Sequence, residues 1–577
     1  MSEDGSSSKL RLSAARANGR LLKGYGPLAA LLVAFVLMAM LVPTKAPQQN
    51  VVHETQQVSG GGTGTGAGTG NSGTAGTAGT AGTAGSGTGG TAGGAAAGAK
   101  TGTGAVPSTA AGKTSACSGA QVPGDPYSPP CIQFSGSNGG ATSAGVTASQ
   151  INVSYRLTSD SQSFQQTLQS LGGADITDTT ADIERTINTL ATYFDNHFQF
   201  YGRKLNIEYF NGQGSITNEL LGSGQQQADA DAVTSAQQLH AFAELDGVTE
   251  PYAVALSEQH VVNFGAPYLS GQFMAQYAPY MWSLDTESND VVAATSELYL
   301  KSLAGGNAQY AGGSLQGKPR KIAIIAPSNP WYQTAAQSAV AEDAAAGYPV
   351  TDNIQYQLDL STLSSQAATI VSQLQNDGIT TVICGCDPVT PVYLTSRAAE
   401  QGYFPEWVVA GVAFTDQDIV GQLFQQSEWS HAFGVSFAGQ TLPKQQTFGY
   451  AAYKQVSPST EPANAVDVIY AQMYEMAIGL EMAGPDLTPQ TFENGMRAYP
   501  GSQAGATNAL YGTWGFPAGH FTPQLDWTFI YWNPNMVSPY NDKTGAYVFS
   551  KSRTKIGSYA GGALPLPAGF PLTPSSS

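Results

Sequence analysis

Short apolar runs alternate along the chain with longer segments whose apolar residues recur at helical spacing, beginning near residue 149. Residues 151–157 and 321–326 are runs of the first kind, and the continuous apolar character of 321–326 (KIAIIA) is typical of a strand buried on both faces. Residues 182–201 are of the second kind and predict an amphipathic helix, with Ile183 and Ile187 on one face. Repeated strand and helix units indicate parallel sheets covered by helices.

The alternation falls into two series, and the helix-like stretch 290–303 separates them. We therefore predict the α/β fold class, with two doubly wound parallel-sheet lobes joined by a hinge. The other predicted strands are 204–210, 354–360, 380–384 and 408–411, and the other predicted helices are 228–242, 252–264, 331–346 and 363–374.

A basic stretch followed by an uncharged apolar run forms the N-terminal region. Lys and Arg outnumber Asp and Glu in residues 1–25, and residues 26–44 carry no charge, an order that places the N-terminus in the cytoplasm. We predict a cytoplasmic N-terminus at 1–25 and a transmembrane signal anchor at 26–43, which crosses the cell membrane once and leaves the rest of the chain on the extracytoplasmic side. The run lies at the short end of the roughly 17 to 25 residues that span a bilayer, so a cleaved signal peptide is the alternative.

Gly, Thr and Ala dominate residues 44–116, with a repeated Thr-Ala-Gly unit and no aromatic side chain between 58 and 115. Such a segment buries too little apolar surface to offset the entropy of ordering the chain. We predict that it is a disordered linker between the membrane and the folded lobes.

All four cysteines, Cys117, Cys131, Cys384 and Cys386, lie beyond the predicted anchor. An even number in an oxidising compartment favours disulfides, and three pairings are possible. Sequence proximity favours Cys117 with Cys131, at the start of an extended segment 117–148, and Cys384 with Cys386. The second pair could instead be two thiols or part of a soft-metal site.

Charge and motif content exclude several function classes. Only 11% of the 577 residues are charged, and 24 Lys and Arg against 41 Asp and Glu give a net charge of −17, which argues against binding nucleic acid. The sequence has no nucleophile elbow, no HExxH motif and no phosphate loop. The six histidines follow no metal-ligand spacing. We expect no enzyme activity, no catalytic residues, no cofactor and no metal.

Four segments carry a resemblance to a known family. Residues 145–153 (GVTASQINV) resemble the approach to its first strand, 193–197 (YFDNH) with 202–205 (GRKL) its first helix and second strand, and 402–411 (GYFPEWVVAG) the segment before a ligand loop. The family is that of the type I periplasmic binding proteins, which includes the leucine-binding and other branched-chain amino-acid receptors of ABC transporters.

The resemblance implies where the chain passes between the lobes: near residues 282 and 437, and again near the C-terminus. Lobe 1 is then 149–282 with 438–515, lobe 2 is 283–437 with 516–560, and 561–577 is a C-terminal tail. Residues 465–484 and 488–500 become helices that return to lobe 1.

Candidate ligand-binding residues are transferred by loop, since ligands of open α/β sheets bind beyond the carboxyl ends of the strands. Glu250 and the residues at 331–332 depart from the family pattern and argue against an ordinary amino-acid ligand. Asp387, followed by Pro388, equally suits a helix N-cap, and Asp416 equally suits a first helical turn. The candidates in lobe 1 are Tyr155, Ser159, Thr249, Glu250, Tyr252 and Ser270, and those in lobe 2 are Trp331, Tyr332, Asp387 and Asp416.

The function that this resemblance implies is capture of a small polar ligand, such as an amino acid or an amide, between two closing lobes. The membrane-anchored protein would then present the ligand to the permease of an ABC transporter. The alternative is a ligand-sensing surface receptor of the same fold without a role in transport. Nothing in the sequence demands more than a monomer.

Overall fold

The computed structural model describes residues 117, 119–162, 166, 178–266, 268–502 and 512–575. They all fall within the unit formed by residues 96–577, and the unit formed by residues 1–95 lies outside them. The predicted cytoplasmic N-terminus, transmembrane segment 26–43 and linker 44–116 are thus not described and stay predictions. Within the described part of the chain, no helix is both long and apolar enough to cross a bilayer.

The first lobe is built on a five-stranded sheet in which all strand pairs are parallel, in the order β2-β1-β3-β4-β5. Its strands are β1 (Gln150–Leu157), β2 (Lys204–Asn211), β3 (Ala243–Glu244), β4 (Val262–Phe264) and β5 (Met281–Trp282). Its first helices are α1 (Thr180–His197), α2 (Ile216–Leu220), α3 (Gln225–Val233), α4 (Glu250–Glu258) and α5 (Gly271–Met274).

The second lobe holds a seven-stranded sheet in the order β12-β11-β10-β9-β8-β6-β7. The strands β6 (Ile322–Pro327), β7 (Asp352–Tyr356), β8 (Thr381–Cys384), β9 (Glu406–Val409) and β10 (Ala432–Ser436) are parallel, and β11 (Asp526–Val537) and β12 (Thr544–Lys555) add an antiparallel edge. Helices of this lobe are α6 (Ser288–Leu298), α7 (Pro330–Ala345), α8 (Leu363–Asn376), α9 (Thr390–Glu400), α10 (Asp418–Gly421) and α11 (Gln426–Trp429).

Both lobes repeat one strand order, because the five parallel strands of each run second, first, third, fourth, fifth across the sheet. This is a doubly wound order with its topological switch point beside the first strand. Strand β6 is buried on both faces, which explains its continuously apolar sequence. Ile322 and Ile324 pack in a hydrophobic cluster on one face, and Ala323 and Ile325 pack in a second cluster on the other. The predicted two doubly wound lobes are confirmed.

The chain passes between the lobes three times, near 283–287, 437–447 and 521–526. Three helices after the second crossing return to the first lobe, whose core includes Tyr474 and Phe492. Arg553 joins the second and third crossings, since it donates to the carbonyls of Phe437 and Ala438 at 3.1 and 2.7 Å and to Asp526 at 2.7 Å. The returning helices are α12 (Phe448–Val456), α13 (Val466–Met482) and α14 (Pro489–Ala498).

Several predicted boundaries differ from the structure, among them the strand predicted over 354–360, which ends at Tyr356. The helix expected over 252–264 ends at Glu258, because His260 takes a left-handed turn (φ 64°) and the buried residues that follow form β4. Phe516 and Phe521 pack in the core of the first lobe, so the last crossing comes later than residue 515. The residues after 560 are not a free tail, since Leu564, Leu566 and Phe570 pack against the second lobe.

Both favoured disulfides are present: Cys117 with Cys131, and Cys384 with Cys386. The first closes a loop within the segment before β1, and Tyr127 in that loop packs against the first lobe, 4.6 Å from Trp514 between ring centroids. The second lies at the end of β8, with both cysteines buried.

Replacing Cys384 and Cys386 together by Ala is expected to lower the melting temperature by a few degrees and to leave ligand preference unchanged, because a pair two residues apart constrains little unfolded chain. Cys117→Ala with Cys131→Ala is the comparison: it opens a loop of 14 residues, for which about 3 kcal/mol is expected. Thermal melts and a ligand panel measure both. Loss of binding in the first variant at unchanged stability would make that pair functional.

Candidate functional site

A cavity of about 500 Å³ lies between the two lobes. It is bounded by the segments that follow β4, β5, β8 and β9 and by the second crossing, so it sits beyond the carboxyl ends of strands from both sheets. Its lining residues are Asp178, Tyr268, Leu284, Asp285, Thr286, Pro388, Val389, Gly411, Phe414, Asp416, Gln417, Asp418, Ile419, Val420, Leu423, Phe437, Ala438, Gly439, Gln440, Thr441, Leu442, Thr447, Phe448, Asn464, Ala465, Asp467, Val468, Gln524 and Tyr540.

Tyr268, which follows β4, connects the lobes at the edge of this cavity. Its hydroxyl accepts a hydrogen bond from the backbone N–H of Ala413 in the second lobe. The same hydroxyl lies 3.5 Å from Oδ1 of Asp285, a distance at which it donates only weakly. One tyrosine thus touches the wall of each lobe.

The loop after β9 holds an unusual backbone. Gly411 has φ 68°, and a Cβ there would lie 2.7 Å from the carbonyl oxygen of Val435, so the position requires glycine. Ala413 and Phe414 also have positive φ, at 50° and 59°, and Phe414 leaves 43% of its surface exposed. Two consecutive left-handed residues that are not glycine cost free energy. That strained turn presents an aromatic ring to the cavity.

Five carboxylates line the cavity, and three of them are committed to structure. Asp178 accepts from the N–H groups of Asn464 and Ala465 at 2.8 and 3.2 Å, next to the start of α13. Asp418 accepts from the hydroxyl of Ser538 at 2.6 Å and from the N–H of Tyr547 at 2.8 Å.

Asp467, the third of these, accepts from the N–H of Gly449 at 3.1 Å. Burial raises its pKa to about 6. Burial also raises the pKa of Asp418. Like the carboxylate of Asp178, these two hold segments of the cavity wall in place.

The carboxylates of Asp285 and Asp416 have more free acceptor capacity than those of Asp178, Asp418 and Asp467. Among the described residues, the carboxylate of Asp285 accepts from the hydroxyl of Tyr268 at 3.5 Å. Asp416 accepts from the Ser436 hydroxyl through one oxygen and from Gln417 at 3.4 Å through the other. Burial raises the pKa of Asp285 to about 7, and the negative charge of Asp416 adds to the rise. The pKa of Asp416 is also raised by burial.

Gln524 contributes a buried acceptor from the third crossing. It is 2% exposed, and its amide nitrogen donates to the carbonyl of Leu284 in the first crossing. Its amide oxygen has no hydrogen-bond partner among the described residues. A buried carbonyl oxygen without a partner is costly, so this atom offers a place for a donor.

Of the ten residues singled out from the sequence, Asp416 lines the large cavity. Tyr332 lines an adjoining apolar cavity of about 70 Å³, which shares Tyr268 with the large one. Trp331 packs against the core of the first lobe, although it belongs to the second, and its ring centroid lies 5.9 Å from that of Tyr332. These two aromatic residues thus lie at the meeting of the lobes.

Thr249 and Tyr252 face away from the cavity, into a buried charge cluster of the first lobe. The Thr249 hydroxyl donates to Glu219, and the Tyr252 hydroxyl donates to Glu244 at 3.2 Å. The guanidinium carbon of Arg156 lies 3.6 Å from the centroid of the Tyr252 ring. Both residues stabilise the strand ends from within.

The remaining candidates lie outside the lining of the large cavity. Tyr155 packs 5.8 Å from Tyr209 between ring centroids, and Ser159 donates to the carbonyl of Gly214 at 2.9 Å. Glu250 begins α4, and burial raises its pKa.

Ser270 acts as a helix cap, and Asp387 holds the turn before a helix. Ser270 caps α5 by accepting from the N–H of Phe273 at 3.1 Å. Asp387 accepts from the N–H groups of Val389 and Thr390 at 2.7 and 3.0 Å, but α9 begins at Thr390 with Val389 at its N-cap position, so the N-cap alternative for Asp387 is wrong.

Four residues of the cavity wall are not among those predicted from the sequence: Tyr268, Phe414, Gln524 and Asp285. Phe414 belongs to a strand-end loop that the strand-end rule identifies, and an aromatic residue in such a loop is a usable signal. Asp285 and Gln524 lie on crossing segments, which sequence periodicity does not reveal.

One group of three potential metal ligands occurs among the described residues: Glu287, Asp290 and His520. The Nδ1 atom of His520 lies 3.5 Å from Oδ2 of Asp290 and 4.0 Å from Oε2 of Glu287. The acidic neighbours raise the pKa of His520, with Asp290 the largest contribution. The same distances fit a histidine that forms ion pairs with Asp290 and Glu287, next to the first and third crossings, without a metal ion.

Comparison with known proteins found no matching family model and no curated protein similar in sequence. Solved structures with a similar fold are substrate-binding proteins of ABC transporters. One from Aeropyrum pernix is 12% identical with a TM-score of 0.49, covering 71% of this chain and 96% of its own. A substrate-binding protein of a fatty acid ABC transporter from Thermomonospora curvata is 13% identical with a TM-score of 0.48, covering 72% of this chain and 97% of its own. The branched-chain amino acid binding protein LivJ of Streptococcus pneumoniae, in complex with isoleucine, is 9% identical with a TM-score of 0.45. The match covers 70% of this chain and 100% of LivJ.

Proposed function

We propose that this chain is an extracytoplasmic solute-binding protein, held at the cell membrane by residues 26–43, that captures a small ligand between its two lobes and presents it to an ABC transporter permease. The single observation that carries the proposal is the cavity of about 500 Å³ walled by strand-end loops of both lobes. Cavities of this size suit small molecules.

The mechanism that we propose is hinge closure about the three crossings. Atoms of the two lobes already meet: Asn329 donates to the carbonyl of Leu220, and in the lining of the cavity the hydroxyl of Tyr540 donates to the carbonyl of Asn464 at 3.1 Å. A ligand that touches both walls favours the closed form by its difference in affinity for the two forms, and by no more than that. The closed surface is then what the permease recognises.

The anchor and the linker are proposed from the sequence. A flexible chain of about 70 residues has a root-mean-square reach on the order of 45 Å, which suits holding a binding domain away from the membrane surface. Because no segment of the described chain contributes to the anchor, its test is separate from that of ligand binding.

A thermal-shift screen of the full chain in detergent, against amino acids, amides, amines, sugars and organic acids, tests the proposal. A ligand present at about 100 times its Kd adds ~2.7 kcal/mol to the apparent stability. A hit among small molecules supports the proposal. A cooperative melt that no compound shifts would contradict solute binding and favour a receptor for a macromolecule.

Replacing Trp331 and Tyr332 together by Ala is expected to weaken binding of any such hit at least tenfold. Trp331 packs against the first lobe and the Tyr332 ring centroid lies 6.0 Å from that of Tyr268, so the change removes contacts that hold the lobes together. Isothermal titration measures the affinity, and Tyr348→Ala, at an aromatic residue 39% exposed, is the matched control. Unchanged affinity in the double variant would remove both residues from the closure mechanism.

A further inference from the structure

We propose that the cavity between the lobes takes an organic cation: a molecule with an ammonium or other strongly donating group on an apolar body. This inference rests on the proposed function, because it names the chemical class of the solute for the same site. Such a ligand differs from an ordinary amino acid, whose carboxylate would find no cationic partner among the described residues that line the cavity.

The charges of the cavity wall support this class. Among the described lining residues there are five aspartates and no lysine, arginine or histidine. Two bases outside the lining act on its carboxyls, Arg553 on Asp416 and Lys444 on Asp467, and both are engaged: Arg553 binds Asp526 and two backbone carbonyls, and Lys444 donates to Asn464 at 2.8 Å. At pH 8, above the raised pKa of Asp285 (about 7) and of Asp467 (about 6), ionised carboxylates make the charge facing a bound molecule negative, which attracts cations and repels carboxylates.

Three segments of the wall supply acceptors with spare capacity. Asp285, Asp416 and the amide oxygen of Gln524 come from the first crossing, the loop after β9 and the third crossing, and they line one cavity. The Gln524 oxygen is buried without a partner among the described residues, and Asp285 has one weak contact at 3.5 Å. A bound donor would satisfy the Gln524 oxygen and add a partner to the Asp285 carboxylate. Because these atoms sit on crossings and on a loop of the second lobe, the donor would also favour closure.

The apolar part of the wall accommodates the rest of such a molecule. Phe414, Phe437 and Phe448 line the cavity together with Leu442 and Val468. Aromatic faces attract cations as well as apolar groups. An alkyl or aryl ammonium compound therefore finds an acceptor at one end and an apolar surface along its length.

The test uses three probes that share a carbon skeleton: 4-phenylbutylamine, 4-phenylbutanol and 4-phenylbutyrate. Isothermal titration into the full chain in detergent gives each affinity at pH 8. We expect the amine to bind at least tenfold more tightly than the carboxylate, with the alcohol between them. A carboxylate or an alcohol that binds as well as the amine would overturn the inference while leaving solute binding in place.

Two variants assign the preference to the cavity. Asp416→Asn and Asp285→Asn are each expected to weaken binding of 4-phenylbutylamine five- to tenfold. Each should also reduce the difference in affinity between this amine and 4-phenylbutyrate. Two separate positions are used in case one of them impairs folding, which circular dichroism checks. Asp229→Asn, at an exposed residue of α3, is the control and should change neither affinity. An amine preference that survives both cavity variants would also overturn the inference. Failure of all three probes and of the wider screen would contradict the proposed function itself.

Discussion

Arg156→Leu is expected to lower the free energy of unfolding by about 3–5 kcal/mol, the cost of breaking a buried ion pair by removing one partner. The Arg156 side chain is fully buried. Its guanidinium donates to both carboxylate oxygens of Glu219, at 2.8 and 3.0 Å, and lies 3.5 Å from Asp231 and 4.0 Å from Asp246. No other residue supplies a positive charge among the described contacts of this cluster.

The loss follows from what the variant leaves behind. Glu219 and Asp231 would remain buried without their cation, and Asp246 and Glu244 would gain no new partner. Burial already raises the pKa of Asp246 and of Glu244, and the charge of Arg156 opposes this rise in both. Removing that charge therefore makes each carboxylate more costly to keep ionised.

Urea unfolding followed by circular dichroism measures the effect as a shift in midpoint at unchanged slope. Arg185→Leu is the matched control, since Arg185 forms its pair with Asp182 at 2.7 Å while 42% of its side chain is exposed. An exposed pair of this kind contributes about 0.2–1 kcal/mol. Arg156→Lys, which keeps the charge and loses the two parallel bonds to Glu219, should fall between them. Equal stability of the two leucine variants would contradict a cluster held by this arginine.

This cluster also shows what the sequence could and could not predict. Long elements can be predicted from the sequence: the apolar period of 363–374 predicts α8, and the apolar run at 321–326 predicts β6. Strands β3 and β5 have two residues each, too few to show a period, so only the tertiary structure defines them.

The strand-end rule found the right loops but not the right side chains. The loop at 411–418 does line the cavity, and Asp416 lies in it. Thr249 follows β3 as expected, yet its side chain turns inward because Glu219, 30 residues away, accepts its hydroxyl. A partner so distant in sequence leaves no local pattern. The direction in which a loop side chain points depends on such long-range contacts, and these cannot be predicted from a single sequence.

The second large expected effect is a fall in stability as the pH rises from about 4.5 to 8. Burial raises the pKa of Glu428 to about 8 and those of Asp343 and Glu481 to about 7. In this window the folded state keeps protons that the unfolded state has lost, so the free energy of unfolding decreases with pH. Each such group contributes about 1.4 kcal/mol per pH unit between its unfolded and folded pKa, and the sum should reach several kcal/mol.

Glu428→Gln tests the origin of that slope. Glu428 is fully buried and accepts from the indole N–H of Trp407 at 3.2 Å through one oxygen, while its other oxygen has no partner in the described part of the chain. The amide keeps an acceptor for Trp407 and cannot ionise, so the variant should melt higher than the parent at pH 8.5 and show a flatter pH dependence between 5 and 8. Glu400→Gln, at a side chain 57% exposed, should leave the curve unchanged. Asp182, whose pKa hydrogen bonds from Thr179 lower to about 2, loses its contribution only below about pH 4 and so cannot mask the trend. A domain that becomes more stable from pH 5 to pH 8 would show that these carboxyls ionise in the folded state with partners that offset their burial.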